Sequence, residues 1–273
     1  MSPAGATAPG RWPDVPARPL VCCLPPAGGS AATFRPWLRA PGRLDRPLDM
    51  QAVNLRLLQA QQDMTLLDLA AAVAGQVPAD RPYVLAGHSL GGLLAYEAAV
   101  ELHRRGGRLP AFVLVMGSRP PHHSSADLFA PVVELPDEAF LDTLEAVGAV
   151  NSALRTSPLR PLFLPALRAD LRIITTYRPD TASRRRDPLP VPVISWCGSS
   201  DPLAPPSLLS GWEEYTLFPT PVRIFDGGHF FPFEEARECL AALEALCGDL
   251  ALLRGTAPVS PVANTLHKSG SAT

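Results

Sequence analysis

Residues 87–91 read Gly87-His88-Ser89-Leu90-Gly91, a G-x-S-x-G pattern that constrains the fold more than any other part of this chain. In such an elbow a serine is forced out on a sharp strand-to-helix turn. Small residues two before and two after let strand and helix pass without clashing. The flanks supply that context. Tyr83-Val84-Leu85-Ala86 is a short apolar run suited to a buried strand, and Leu90 to Arg105 places Leu93, Leu94, Ala98 and Leu102 on one helical face. The pattern predicts a nucleophilic Ser89. The plain alternative is a Gly-rich turn carrying an ordinary serine.

The same alternation runs through the first half of the chain. Pro19–Leu24 reads as a buried strand, Pro25–Ser30 as a turn, and Ser30 as the cap of a helix reaching about Leu38. Met50–Leu55 reads as a second strand and Thr65–Val77 as a helix, with Leu66, Leu69, Ala70 and Val73 at helical spacing. Ala111–Met116 is a further strand. Continuously apolar strands alternating with helices predict an α/β fold: a mostly parallel central sheet with helices on both faces. From about residue 120 to 190 the strands stop, and helices starting near Pro136 and Leu162 suggest a lid inserted into the sheet. Strands resume at Val191–Cys197 and Val222–Phe225, before a last helix over Glu234–Cys247. The expected organisation is a flexible leader (1–18), one domain (19–254) and a disordered tail (255–273), the ends being rich in Pro, Gly, Ser, Thr and Ala.

Composition narrows the function. The chain has 273 residues, 47% of them hydrophobic, enough for one large domain with a buried core. A formal net charge of −2 argues against nucleic-acid binding. No apolar run approaches the roughly 20 residues that span a bilayer, and no signal peptide is visible. The five cysteines have no metal-ligand spacing and read as reduced, buried thiols. A cytoplasmic protein with no metal and no cofactor is expected.

A serine hydroxyl needs a base. Of six histidines, His229 is the candidate: it follows the strand Val222–Phe225 and the flexible pair Gly227-Gly228, late in the chain. His88 adjoins the serine, but neighbours in an elbow diverge, so it is expected to pack or hydrogen-bond beside the turn. His103 and His267 belong to a helix end and the tail, and His122 with His123 diverge too far to form a metal site. The orienting acid should fall between serine and histidine in the chain. Asp201, in the loop Gly198-Ser199-Ser200-Asp201-Pro202, is preferred to Asp226, which lies only three residues before His229. The two oxyanion donors are expected to be the N–H groups of Leu90 and Ala27, with Gly28 the alternative to Ala27.

With these residues in place, the chain resembles the type II (external, editing) thioesterases of polyketide and nonribosomal peptide synthesis, α/β-hydrolases related to medium-chain acyl-carrier-protein thioesterases. The resemblance rests on Pro25-Pro26-Ala27-Gly28-Gly29-Ser30, the elbow continuing into Leu94-Ala95-Tyr96-Glu97, and Gly117-Ser118-Arg119-Pro120. It extends through Leu162-Phe163-Leu164-Pro165-Ala166-Leu167-Arg168-Ala169-Asp170, followed by Tyr177, to Gly227-Gly228-His229-Phe230-Phe231. It implies a Ser89–Asp201–His229 triad and the release of acyl groups from the phosphopantetheine arm of an acyl or peptidyl carrier protein. It also places Gly28, Phe163 and Phe230 near the substrate. One segment departs from the pattern. The family's Pro-Gly-Arg stretch after the second strand is replaced by Val53-Asn54-Leu55-Arg56-Leu57-Leu58-Gln59.

Arg184-Arg185-Arg186 could meet an acidic carrier, although a solvated loop is the simpler reading. Trp37, Trp196 and Trp212 read as core. Two other functions compete with the thioesterase: a small-molecule esterase or peptidase of the same fold, and a non-catalytic binding protein. A complete triad argues against the last.

Overall fold

The computed structural model describes residues 19–40, 48–58 and 64–248. The expected leader and tail, with His267, lie outside the described residues. Six strands, β1 (Leu20–Leu24), β2 (Met50–Ala52), β3 (Tyr83–His88), β4 (Val113–Met116), β5 (Val193–Gly198) and β6 (Val222–Phe225), form one sheet in the order β2-β1-β3-β4-β5-β6. Every pairing is parallel. The helices are α1 (Arg35–Arg39), α2 (Leu55–Leu58), α3 (Leu66–Ala74), α4 (Leu90–Arg104), α5 (Ala126–Phe129), α6 (Asp137–Ala146), α7 (Arg160–Thr175), α8 (Thr181–Arg186), α9 (Pro206–Leu209), α10 (Phe231–Glu234) and α11 (Ala236–Gly248).

Two cores cover the two faces of the sheet. Side chains alternate along a strand, so Leu20, Cys22 and Leu24 of β1 face α3, α4 and the lid, while Val21 and Cys23 face α1 and α11. Trp37 and Trp196 fill the second core and Trp212 the first, all at most 1% exposed. The pattern of continuous burial fails at β6. Val222 and Ile224 are exposed there because β6 is the edge of the described sheet.

Register decides where the loops emerge. Leu24 pairs with Gly87, His88 with Met116, Met116 with Trp196, and Gly198 with Phe225. The loops after β1, β3, β4, β5 and β6 therefore leave one edge side by side. The chain runs from β1 outward to β2 and then crosses to β3 on β1's other side. The reversal opens a crevice between the loops after β1 and β3, the place where open α/β sheets bind ligands.

Local capping explains the boundaries. Thr65 and Asp68 form a capping box on α3, and Ser30 with Thr33 does the same for the 3₁₀ turn Ala31–Phe34 that leads into α1. The second strand is shorter than the expected Met50–Leu55. The Asn54 side-chain oxygen accepts the Arg56 N–H at 3.2 Å and turns the chain into α2.

Between β4 and β5 lie α5 to α8 and no strand among them. This lid is tied to the body at its far end. Buried Glu97 on α4 accepts the Tyr177 hydroxyl at 2.6 Å and the Arg184 guanidinium at 2.7 Å. The reading of Arg184–Arg186 as a solvated loop is thereby corrected for Arg184 and for the loop, which is helix α8, while Arg185 and Arg186 are exposed. Asp180 accepts the Ser183 N–H and caps α8, which turns Arg184 inward toward Glu97. Arg185 pairs with Glu214.

Candidate active site

Ser89 occupies the turn between β3 and α4 with φ 55° and ψ −118°, the one non-glycine residue with positive φ among those described. Its N–H donates to the Met116 carbonyl at 2.8 Å, so the neighbouring strand holds the turn. The two pattern glycines are sterically obligatory. A Cβ on Gly87 would lie 2.0 Å from the Gly91 oxygen, and one on Gly91 would lie 2.1 Å from the Leu24 oxygen. This strain is maintained by packing on both sides and leaves the serine at the carboxyl edge of the sheet.

His229 and Asp201 reach the same edge from the loops after β6 and β5. His229 Nδ1 lies 2.9 Å from Asp201 Oδ2, with both side chains buried. The other carboxylate oxygen accepts the N–H groups of Leu203 (2.8 Å) and Ala204 (3.0 Å). Burial alone would raise the Asp201 pKa. The hydrogen bond and charge of His229, with the two backbone donors, outweigh it and hold the carboxyl below its ordinary value. Asp201 therefore stays ionised and fixes the ring with Nδ1–H toward itself, leaving Nε2 to accept a proton. Asp226 is exposed.

His88 is turned away from the serine, as expected for an elbow neighbour. It lies beneath His229, with ring centroids 4.8 Å apart and Nε2 2.7 Å from the His229 carbonyl oxygen. Burial, and then the nearby His229, push its pKa down to about 3. The neutral ring donates Nε2–H to that carbonyl, and its buried Nδ1 has no protein partner.

Ser89 and His229 share a cleft with about 430 Å³ of empty space, lined on one side by Leu90, Leu93, Arg119 and Phe129. A second, more apolar branch runs past Ala27, Leu167, Leu171, Ile174 and Phe230. Ala27 and Leu90 thus flank Ser89. The Leu90 N–H is the first of α4, where no intrahelical partner exists. The Gly28 N–H is instead held by Asp170 Oδ2 at 2.6 Å. Phe163 sits against Gly28, where an added Cβ would meet its ring at 2.8 Å. The cleft itself takes Leu167, Leu171 and Ile174 from further along α7.

Sequence reasoning left three features out. Asp170 and Arg56 form a 2.6 Å ion pair joining α7 to the segment after β2, and Arg119, whose Nε donates to the Leu203 carbonyl, lines the cleft. A single carboxylate among apolar residues at helical spacing was the available signal for Asp170. Among the described residues, no group of three His, Cys, Asp or Glu side chains could hold a metal ion, and no helix is long and apolar enough to cross a membrane.

The parallel sheet, the serine elbow at its carboxyl edge and the helical lid define an α/β-hydrolase. The sequence model of the family described as Thioesterase domain matches residues 19–247, and the chain belongs to that family of thioester hydrolases. It is similar to RedJ, the thioesterase of the prodiginine biosynthetic pathway in Streptomyces coelicolor, at 32% identity, with 89% of this chain and 96% of RedJ covered and a TM-score of 0.69. YbtT, the type II thioesterase of the yersiniabactin NRPS/PKS pathway, is 28% identical, with 88% of this chain and 97% of YbtT covered and a TM-score of 0.70. The AMB antimetabolite synthetase AmbE of Pseudomonas aeruginosa is 33% identical over 234 residues. That match takes in 81% of this chain and 10% of AmbE.

Proposed function

We propose that this chain hydrolyses acyl groups from the phosphopantetheine arm of an acyl or peptidyl carrier protein, with Ser89, His229 and Asp201 as its triad. The observation that carries the reading is the buried His229–Asp201 pair opening on the same cleft as the strained Ser89. His229 Nε2 takes the Ser89 proton as Oγ attacks the thioester carbonyl carbon. The resulting oxyanion is held by the N–H groups of Ala27 and Leu90. The C–S bond then breaks, and His229 returns its proton to the departing pantetheine thiolate. Water enters, loses a proton to His229 and attacks the seryl ester. Collapse of the second intermediate frees the acid and restores Ser89.

The apolar branch between α7 and Phe230 suits the acyl chain. The similarity to RedJ and YbtT supports a carrier-bound substrate within polyketide or peptide synthesis. Five buried cysteines, none of them in a disulfide, fit a reducing, cytoplasmic setting. A panel of acyl-loaded carrier proteins, acyl-cysteamine thioesters and aryl esters tests this function. Faster turnover of the carrier-bound thioester supports it. Efficient cleavage of aryl esters or peptides with no activity on carrier thioesters would establish the small-molecule esterase or peptidase instead.

A further inference from the structure

The lid is more than a roof. Asp170, on α7, is 1% exposed and is the one charged residue among the buried positions of that helix, with Leu164, Leu167, Leu171, Ile173 and Ile174. Its Oδ2 accepts two charge-assisted hydrogen bonds: the Gly28 N–H at 2.6 Å, and Arg56 Nη2 at 2.6 Å. Arg56 also donates to the α7 carbonyl of Ala166 at 3.2 Å. One buried carboxylate thus joins three pieces of chain: the lid helix, the loop after β1 and the segment after β2. Apolar contacts reinforce the joint, since the Phe163 ring and Leu167 press on Gly28.

The consequence lies one peptide upstream. Gly28 has φ +72°, the left-handed region that glycine adopts readily, within a turn closed by the Gly29 N–H on the Pro26 carbonyl at 2.9 Å. The Ala27 N–H belongs to the preceding peptide, whose Pro26 carbonyl accepts the Gly29 N–H at 2.9 Å; the Gly28 N–H held by the lid anchors the middle of that same turn, beside Ser89. A lid that lifts must break the Asp170–Gly28 bond and release this loop. We propose that Asp170 is a positioning residue that couples the seating of the helical lid to assembly of the oxyanion hole, so that the hole is complete only while the lid is down. The inference rests on the proposed role of Ala27 as an oxyanion donor. It assigns a mechanistic part to Arg56, in the segment after β2.

The test uses Asp170→Leu and the double variant Arg56→Met/Asp170→Leu in the full chain, each normalised to the active sites titrated with a fluorophosphonate. The single variant removes the carboxylate acceptor from the Gly28 N–H and from the half-buried Arg56 guanidinium. The double variant replaces the ion pair with apolar groups, an exchange that buried pairs commonly tolerate. For a minimal acetyl thioester, kcat per titrated site falls about 10- to 100-fold in both variants while KM changes far less, because a misplaced oxyanion donor weakens the transition state more than the ground state. The inhibition constant of an acyl trifluoromethyl ketone, whose serine adduct places an oxyanion in the hole, rises by a similar factor. If the double variant folds and keeps wild-type kcat and ketone affinity, Asp170 is only structural and the coupling is refuted. If the single variant does not fold, the double variant decides alone. Should both fail to fold, Asp170→Ser, whose shorter side chain stays polar beside Arg56 but no longer reaches the Gly28 N–H, must lower kcat with little change in KM, and wild-type kcat there refutes the coupling. Ser89→Ala serves as the separate control: normal turnover in that variant would overturn the triad itself, whatever Asp170 does.

Discussion

At the level of single residues, both stability and chemistry depend on where protons reside. Asp201 is held ionised and His88 is held neutral, and both resist protonation in the folded chain. The His88 pKa falls from 6.5 to about 3 on folding, through burial and the proximity of His229. The unfolded chain therefore takes up a proton below pH 6.5 that the native state refuses until about pH 3, so stability declines with acid across that interval. Asp201 acts in the same direction: its folded pKa lies below the ordinary value, and its stabilisation is lost as pH drops through the carboxylate range. Melting temperature against pH should therefore slope less steeply in His88→Gln than in the wild type, whereas parallel curves would show that His88 is not the group involved. Catalysis makes the complementary demand. Asp201→Asn should fold normally but lose up to roughly 10⁴-fold in rate, through the wrong His229 tautomer and an unstabilised imidazolium. A larger loss in Asp226→Asn at equal stability would exchange the two roles.

At the scale of elements the lid carries the predictions. Leu167, Leu171 and Ile174 present one face of α7 to the cleft, while Leu162 is 75% exposed and faces away. Leu171→Trp should shorten the preferred acyl chain and spare the acetyl thioester, read as kcat/KM across a chain-length series. Equal losses at every length would make α7 a structural element only. The lid's far end depends on Glu97, whose pKa is raised by burial despite Arg184 and Tyr177. Arg184→Met strands that carboxylate and should cost about 3 kcal/mol in denaturant unfolding. A change within a few tenths would show that Glu97 is protonated or solvated instead.

Much of this was legible in the sequence, and the reasons are local. The elbow was readable because Gly87 and Gly91 are dictated by contacts within a few residues and one neighbouring strand. The inner strands β1, β3, β4 and β5 were readable because burial on both faces favours a nearly continuous apolar run. β2 was misjudged in length because Asn54 capping outweighs the apolar pattern of Val53 and Leu55. The Arg184–Glu97 and Asp170–Arg56 pairs were not legible, since they join residues 87 and 114 positions apart. Nothing in a charge run or a lone aspartate names a partner at that distance.

At the scale of the whole molecule, one sheet edge gathers everything the chemistry requires. Parallel register brings five loops to the same side, the crossing from β2 to β3 opens the crevice, and a lid between β4 and β5 covers it. The Thioesterase family match spans this entire unit, residues 19–247. The central claim is that Ser89 carries the acyl group during turnover. Mass spectrometry of the protein quenched while hydrolysing an acyl-loaded carrier protein tests it most directly. The account predicts a Ser89 peptide heavier by the mass of the acyl group, increased in His229→Gln if deacylation is slowed more than acylation, and absent in Ser89→Ala. That last variant should also lose activity by roughly 10³-fold or more. Full turnover by a folded Ser89→Ala protein, or an acyl adduct on another residue, would contradict it.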